Sequence, residues 1–355
     1  DIIDEFEKNN LLEKLFLDMK KAEKAIIINE ISKLENYKNF PKIIKMKIRN
    51  FVEAPIIIGQ EIKGGVILFN KNDDFTAANV NLITSLINQM SISVQNIDYF
   101  KKEIDREKEE EQLKIASQIQ SSLFPQKMPE LENLSFYGLN LPAKAVGGDY
   151  YDLVEIGNGK VVGFIADVSG KGIPASLLVN IVRTIFRMLV EEFKEYSPEK
   201  ILTRINNMLL KENLEGRFVT AICFLVDNIN KTIEISNAGH DPFLFYVGNE
   251  KEIKKYSSDS IVLGVMEEVY EKEKLSYENG DIFLFYTDGV AEARKNNGDF
   301  FTLERVERIL KDKNNLNAEE LINEIYSELK NFVEDAVQND DITLLAIKGG
   351  NNERG

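Results

Sequence analysis

The chain has 355 residues, 43% of them hydrophobic and 29% charged, with a formal net charge of −15. That length leaves room for two cores. The acidic balance disfavours nucleic acid or an anionic membrane surface as the main partner, since both need a basic footprint, and leaves a basic or neutral protein as the easier partner. A single cysteine, Cys223, excludes an internal disulfide and fits a reducing cytosol. No apolar run approaches the roughly 20 residues that span a bilayer and no signal peptide opens the chain, so a soluble, cytoplasmic protein is expected. The chain begins at Asp1 without a methionine, which suggests a piece of a longer polypeptide.

In chain order, APIIIGQEIKGGVILFN (54–70) reads as two strands around a glycine-containing turn, and FTAANVNLITSLINQMSISVQNIDYF (75–100) as a helix. Ile83, Ile87, Met90, Val94, Ile97 and Ile104 alternate spacings of three and four or extend that seam, the pattern of a helix that packs on a partner helix. The stretch resembles the C-terminal half of a GAF sensor domain, with a proline-containing strand, a turn, a Gly-Val-rich strand, an Asn and a Phe-initiated helix. It carries no Cys or His constellation that would identify a ligand.

The helical pattern continues through KKEIDREKEEEQLKIASQIQSSLFP to Pro125, which cannot extend a helix. The apolar seam lapses over Asp105 to Glu111 and resumes at Leu113, Ala116, Ile119 and Leu123. A solvated linker helix and a dimeric coiled coil with a weak point both fit this charge run. From Met128 onward strands alternate with helices. Strands are predicted at 160–168, 217–227, 231–239, 241–247, 281–288 and 341–348, and helices at 175–193, 197–212 and twice between Leu303 and Phe332. Ser197 as cap and Pro198 in the first turn mark one helix start. The whole predicts an α+β sandwich.

Four acidic motifs lie across this region: GGDYYD (147–152), ADVSGKG (166–172), YTDGVAEA (286–293) and DDITLL (340–345). Taken singly, aspartate beside glycine is a turn signal. Together they say more, because Asp167 and Asp288 each end a nearly all-apolar strand, which would place both at one edge of a sheet, and Asp340 and Asp341 precede a third. Carboxylates converging there would repel one another unless a cation lay between them. With one histidine, His240, and one cysteine in the chain, hard oxygen donors dominate, which favours Mg²⁺ or Mn²⁺. His240 in its Asn-Ala-Gly turn reads as a structural hydrogen-bonding residue, and Cys223 as core. GGDYYD is superficially like a diguanylate cyclase signature, but a cyclase would leave the other three motifs unexplained.

These motifs, with RFVTA (217–221), NAGHDPF (237–243) and the approach helix IASQIQSSLFPQKMP, resemble the bacterial SpoIIE/RsbU-type branch of the metal-dependent protein serine/threonine phosphatases over residues 112–348. The resemblance implies an αββα sandwich of the PPM type at 128–349, preceded by a GAF-like sensor fragment at 1–98 and a helical, coiled-coil linker at 99–127, with a tail at 350–355. It implies that Asp167 bridges two Mn²⁺ or Mg²⁺ ions with the Val168 carbonyl on one of them, that Asp288 and Asp340 complete the other, and that Asp149 faces the first. Gly147 and Gly148 would let backbone and substrate approach closely. The histidine that eukaryotic relatives place after the bridging aspartate is missing, since Ser169, Gly170 and Lys171 follow Val168. No arginine matches their phosphate-binding arginine, leaving Lys171 as a weak candidate, and Phe243 stands where a proline is frequent. The implied function is dephosphorylation of a phosphorylated STAS-domain anti-sigma-factor antagonist, regulated by the sensor and linker, and the apolar seam predicts a homodimer joined through the linker helix. The alternative is a catalytically silent scaffold that binds such a protein.

Overall fold

The computed structural model describes residues 25–33, 47–58, 61–212 and 216–350. The chain divides into two units, Asp1–Glu110 and Glu111–Gly355. Of the expected GAF-like fragment, residues 1–24, 34–46, 59 and 60 lie outside the described residues. The rest forms an antiparallel sheet in the order β1 (Ile26–Ile28), β2 (Phe51–Ile58), β3 (Glu61–Phe69). The 45-residue helix α1 (Ala77–Ser121) follows. Its start is set by Thr76 and Asn79, which exchange bonds from backbone N–H to side-chain oxygen at 2.9 and 3.4 Å. Ile83 and Ile87 are buried with Val52, Ala54 and Phe75 of the same unit. This corrects the seam expected from spacing: its first two residues are taken up by the chain's own sheet, while Met90, Val94, Ile97 and Ile104 are exposed.

The second unit is built on two five-stranded antiparallel sheets. Their strands are β4 (Leu134–Leu141), β5 (Asp149–Gly157), β6 (Lys160–Val168), β7 (Val219–Asp227), β8 (Thr232–Ala238), β9 (Phe243–Val247), β10 (Glu252–Tyr256), β11 (Glu273–Ser276), β12 (Ile282–Tyr286) and β13 (Ile342–Gly349). One sheet runs β11-β8-β7-β6-β5 and the other β10-β9-β12-β13-β4. The central strands are apolar on both sides because both faces are covered. Ile165, Phe224, Phe285 and Leu345 fill the space between the sheets, with the Phe224 and Phe285 rings stacked at 4.7 Å. On the outer face of the first sheet lie α2 (Ile173–Arg187) and α3 (Pro198–Leu209). On that of the second lie α5 (Leu303–Asp312) and α6 (Ala318–Val333), and a short helix α4 (Asp288–Ala291) follows β12. The result is the expected αββα sandwich.

Three local expectations are corrected. Ser197 precedes Pro198 but does not cap α3, because its hydroxyl donates to Glu199 Oε1 at 2.7 Å. The stretch Ile173–Glu192 is apolar and long enough to cross a membrane, contrary to the expectation of no such run. It is a core helix, with Leu178, Val179, Val182 and Phe186 buried against the first sheet. Asp167 lies in one sheet while Asp288 follows a strand of the other, since β6 and β12 belong to different sheets. The sandwich brings the two carboxylates together from opposite layers.

Candidate metal centre

Asp149 opens β5 and Asp167 stands directly opposite it near the end of β6. The second sheet contributes from its facing ends. Thr287 and Asp288 follow β12, and Asp340 and Asp341 precede β13. Two threonines join the layers: Asp149 Oδ2 accepts from Thr287 Oγ1 at 2.7 Å and from Thr343 Oγ1 at 2.6 Å, and all three side chains are buried. Thr343 N–H also donates to Thr287 Oγ1 at 3.0 Å. Asp149 therefore has a fixed position, with Oδ2 held by both threonines.

Asp341 plays a different part from Asp340. Its carboxylate accepts from the N–H groups of Ala143 at 2.7 Å and Gly148 at 2.6 Å, so it orders the chain ahead of Asp149. A Cβ on Gly147 would lie 2.6 Å from Asp341 Oδ2, and one on Gly148 would lie 2.8 Å from the Val168 carbonyl. The paired glycines thus let this segment press against Asp341 and Val168. Asp340 is half-exposed and accepts from Lys171 Nζ at 2.7 Å, while the same ammonium reaches the Asn339 carbonyl.

Burial and mutual repulsion dominate the electrostatics. Burial, then the charges of Asp288 and Asp340, raises the Asp167 carboxyl to about 7. Burial, then Asp340 and Glu292, raises Asp288 to about 6. Asp149 is also pushed well up, first by burial and then by Asp167, against the two threonine bonds. Among the described residues no three His, Cys, Asp or Glu side chains converge closely enough to ligate one ion as they stand. The two threonines on Asp149 and Lys171 on Asp340 hold these carboxylates on protein partners instead. The donor set still suits a hard dication: carboxylates and a backbone carbonyl, with no thiolate and no free imidazole.

His240 is buried beside this site without joining it. Nδ1 pairs with Thr220 Oγ1 at 2.7 Å and Nε2 with the Tyr286 carbonyl at 3.1 Å, so both ring nitrogens are engaged within the protein. Cys223 is fully buried in the core, and Phe243 stacks on Tyr256 at 5.0 Å. The sequence points to Asp341 only as the neighbour of Asp340, and it does not single out Thr287 and Thr343. Both threonines lie inside the acidic motifs, but a hydroxyl beside a strand-end carboxylate carries no signal of its own until the two sheets are stacked.

The family model of Stage II sporulation protein E (SpoIIE) matches residues 157–349, more than half of the chain. The chain belongs to the SpoIIE family. Its SpoIIE domain is a phosphatase domain of the PP2C type. Over 238 residues the chain is 26% identical to phosphoserine phosphatase RsbU of Bacillus subtilis (strain 168), covering 67% of this chain and 70% of RsbU. It is 25% identical over 263 residues to protein IcfG of Synechocystis sp., which covers 66% of this chain but only 41% of IcfG. Among solved structures, the SiaA-PP2C domain of Pseudomonas aeruginosa superposes with a TM-score of 0.62 at 21% identity, covering 69% of this chain and 98% of that domain. The RsbU and RsbW domains of Rv1364c from Mycobacterium tuberculosis give 0.53 at 21% identity, covering 63% and 62%. At these identities the structures bear on the SpoIIE domain's fold alone.

Proposed function

We propose that the SpoIIE domain is a metal-dependent protein phosphoserine/phosphothreonine phosphatase that acts on a phosphorylated STAS-domain partner in a cytoplasmic partner-switching circuit. The observation that carries this reading is the meeting of Asp149, Asp167, Asp288 and Asp340 from two sheets, with Asp167 raised to about 7 by burial and by the charges facing it. Such a cluster is costly at neutral pH unless a cation balances it. Asp149, Asp167, the Val168 carbonyl, Asp288 and Asp340 would hold two Mn²⁺ or Mg²⁺ ions. When bound, such ions supply Lewis acidity and charge neutralisation for phosphoryl transfer to water.

The chain's own residues do the rest. Thr287 and Thr343 orient Asp149, Asp341 orders the Gly147–Gly148 segment, and Lys171 lies at the mouth of the site with a charge that suits a phosphoryl oxygen. No cysteine stands near enough to act as a nucleophile, since Cys223 is buried in the core with its thiol pushed well up by burial. Direct hydrolysis without a phosphoenzyme fits that inventory. RsbU is by its name a phosphoserine phosphatase, which supports the substrate class.

The test is hydrolysis of p-nitrophenyl phosphate and of a phosphoserine peptide by chelator-stripped protein after Mn²⁺ or Mg²⁺ is restored. Metal-dependent turnover of both is expected. Firm binding of a phosphorylated STAS protein with no turnover under any metal would instead favour the silent scaffold.

A further inference from the structure

Gln120 lies in the last turn of α1 and is only 7% exposed, and both ends of its side-chain amide are engaged by a single residue. Nε2 donates to the Gly147 carbonyl at 2.7 Å, and Oε1 accepts from the Gly147 N–H at 2.9 Å. Two strands make such a reciprocal pair through their backbones. Here a side chain makes it. The neighbours Lys114, Ile115, Gln118 and Ile119 are exposed, so the pairing is not a by-product of a helix packed on all sides.

What Gln120 holds matters for the site. Gly147 and Gly148 have no side chains of their own to fix them and would sample a wide range of backbone angles if left unclamped. Gly148 passes the constraint on directly: its N–H donates to Asp341 Oδ2 at 2.6 Å and its carbonyl accepts the Val168 N–H at 3.1 Å. Asp149 is the next residue. Gln120 on one side and Asp341 on the other therefore fix the segment that sets both the Asp149 carboxylate and the peptide of Val168. Small displacements of such groups are costly to a site's function.

We infer that Gln120 is a positioning residue that sets the divalent-cation affinity of the site by holding Gly147–Gly148 against Asp341 and Val168. The inference rests on the metal-site reading above and adds a residue outside the four acidic motifs. Other contacts secure the end of α1 independently. Arg183 Nε donates to the Leu123 carbonyl at 3.0 Å, and the Phe124 ring lies 5.8 Å from Tyr150 and 5.3 Å from Tyr151. Removing the amide should therefore leave the domain folded.

The experiment titrates Mn²⁺ into the chelator-stripped full chain, following heat by calorimetry and free Mn²⁺ by its electron spin resonance signal. Gln120→Ala and Gln120→Glu should bind Mn²⁺ about tenfold more weakly, the factor that loss of one ordinary hydrogen bond carries. The exposed control Gln118→Ala should match wild type, and unfolding midpoints without metal should stay close to wild type throughout. Turnover of the two Gln120 variants should recover as Mn²⁺ is raised. A Mn²⁺ isotherm for Gln120→Ala that superimposes on wild type overturns the inference and leaves the metal-site reading standing. Wild-type protein that binds no Mn²⁺ overturns that reading itself. If Gln120→Ala does not fold, Gln120→Glu, which keeps the shape and the acceptor for Gly147 N–H, decides by the same isotherm.

Discussion

Neutralising Asp167 should separate stability from activity. Its carboxyl is raised to about 7 by burial and by Asp288 and Asp340, so the ionised form is held against a gradient at neutral pH. Asp167→Asn removes that strain, and without metal it should unfold later than wild type, by on the order of 2 kcal/mol. With Mn²⁺ present the same change, like Asp288→Asn or Asp340→Asn, should lower turnover at least about a hundredfold. Chelator-stripped melts beside metal-restored assays read both effects, and undiminished turnover in Asp167→Asn would falsify the two-metal assignment. His240 titrates in the opposite sense. Burial lowers its imidazole from 6.5 to about 4, so between those values an unfolded chain takes up a proton that the folded one refuses. Its contribution to stability is whole above pH ~6.5, falls as pH drops and levels off below pH ~4, a loss of roughly 3 kcal/mol at most. The raised Asp167 and Asp288 gain stability over part of the same range, which masks this in wild type alone. Denaturant unfolding of wild type and His240→Gln at several pH values should isolate it as a gap that narrows on acidification.

Arg187 ties helix α2 to the first sheet. Its guanidinium donates from Nε and Nη2 to the two oxygens of the fully buried Asp152, each at 2.7 Å, and Tyr150 donates its hydroxyl to the same carboxylate. Arg187→Ala would leave that charge buried without its fork, at a cost of about 3 kcal/mol, and Arg187→Lys should recover only part of it because an ammonium cannot match the geometry. Chemical unfolding measures both. This tie was not legible in the sequence, because Asp152 looked like one more acid of the GGDYYD motif and only the pairing of β5 with the core turns it inward. The same limit explains the missed strands. KVVGFIADV and ITLLAIKG announced themselves by continuous apolar runs, as central strands covered on both faces do. EIKKY and EKLS became β10 and β11 at sheet edges, where charge is a protective feature and hides the strand from a hydrophobicity reading. In LSFYGLNL the Gly138 position is filled by the Tyr151 ring, a contact with no trace in either segment alone. The site followed the same division: carboxylates beside glycine were conspicuous, whereas their arrival from opposite sheets depended on how the layers stack.

At the scale of the whole molecule, one exposed apolar row on α1 asks for an explanation. Ile83 and Ile87 have a home in the first unit, but Met90, Val94, Ile97 and Ile104 are 39% to 54% exposed, and an apolar row of this kind on a long helix calls for a cover. A second copy of the helix is the expected cover, and Val94→Asp with Ile97→Asp should turn a dimer into a monomer in light scattering at micromolar concentration. The row gives out at Asp105 to Glu111, where only exposed pairs such as Arg106 with Glu103 at 2.6 Å and with Glu110 at 3.8 Å decorate the helix. Such pairs contribute little in water, so association through this stretch should be marginal and open to bias from upstream. Gln120, which holds Gly147, lies in the last turn of the same helix, so a change in helix pairing is expected to reach the site through it. Making the row continuous with Lys108→Leu and Glu111→Leu should tighten the dimer and also shift both turnover and the Mn²⁺ concentration for half activity. If the dimer tightens while both of those stay where they were, the charged stretch is a passive spacer.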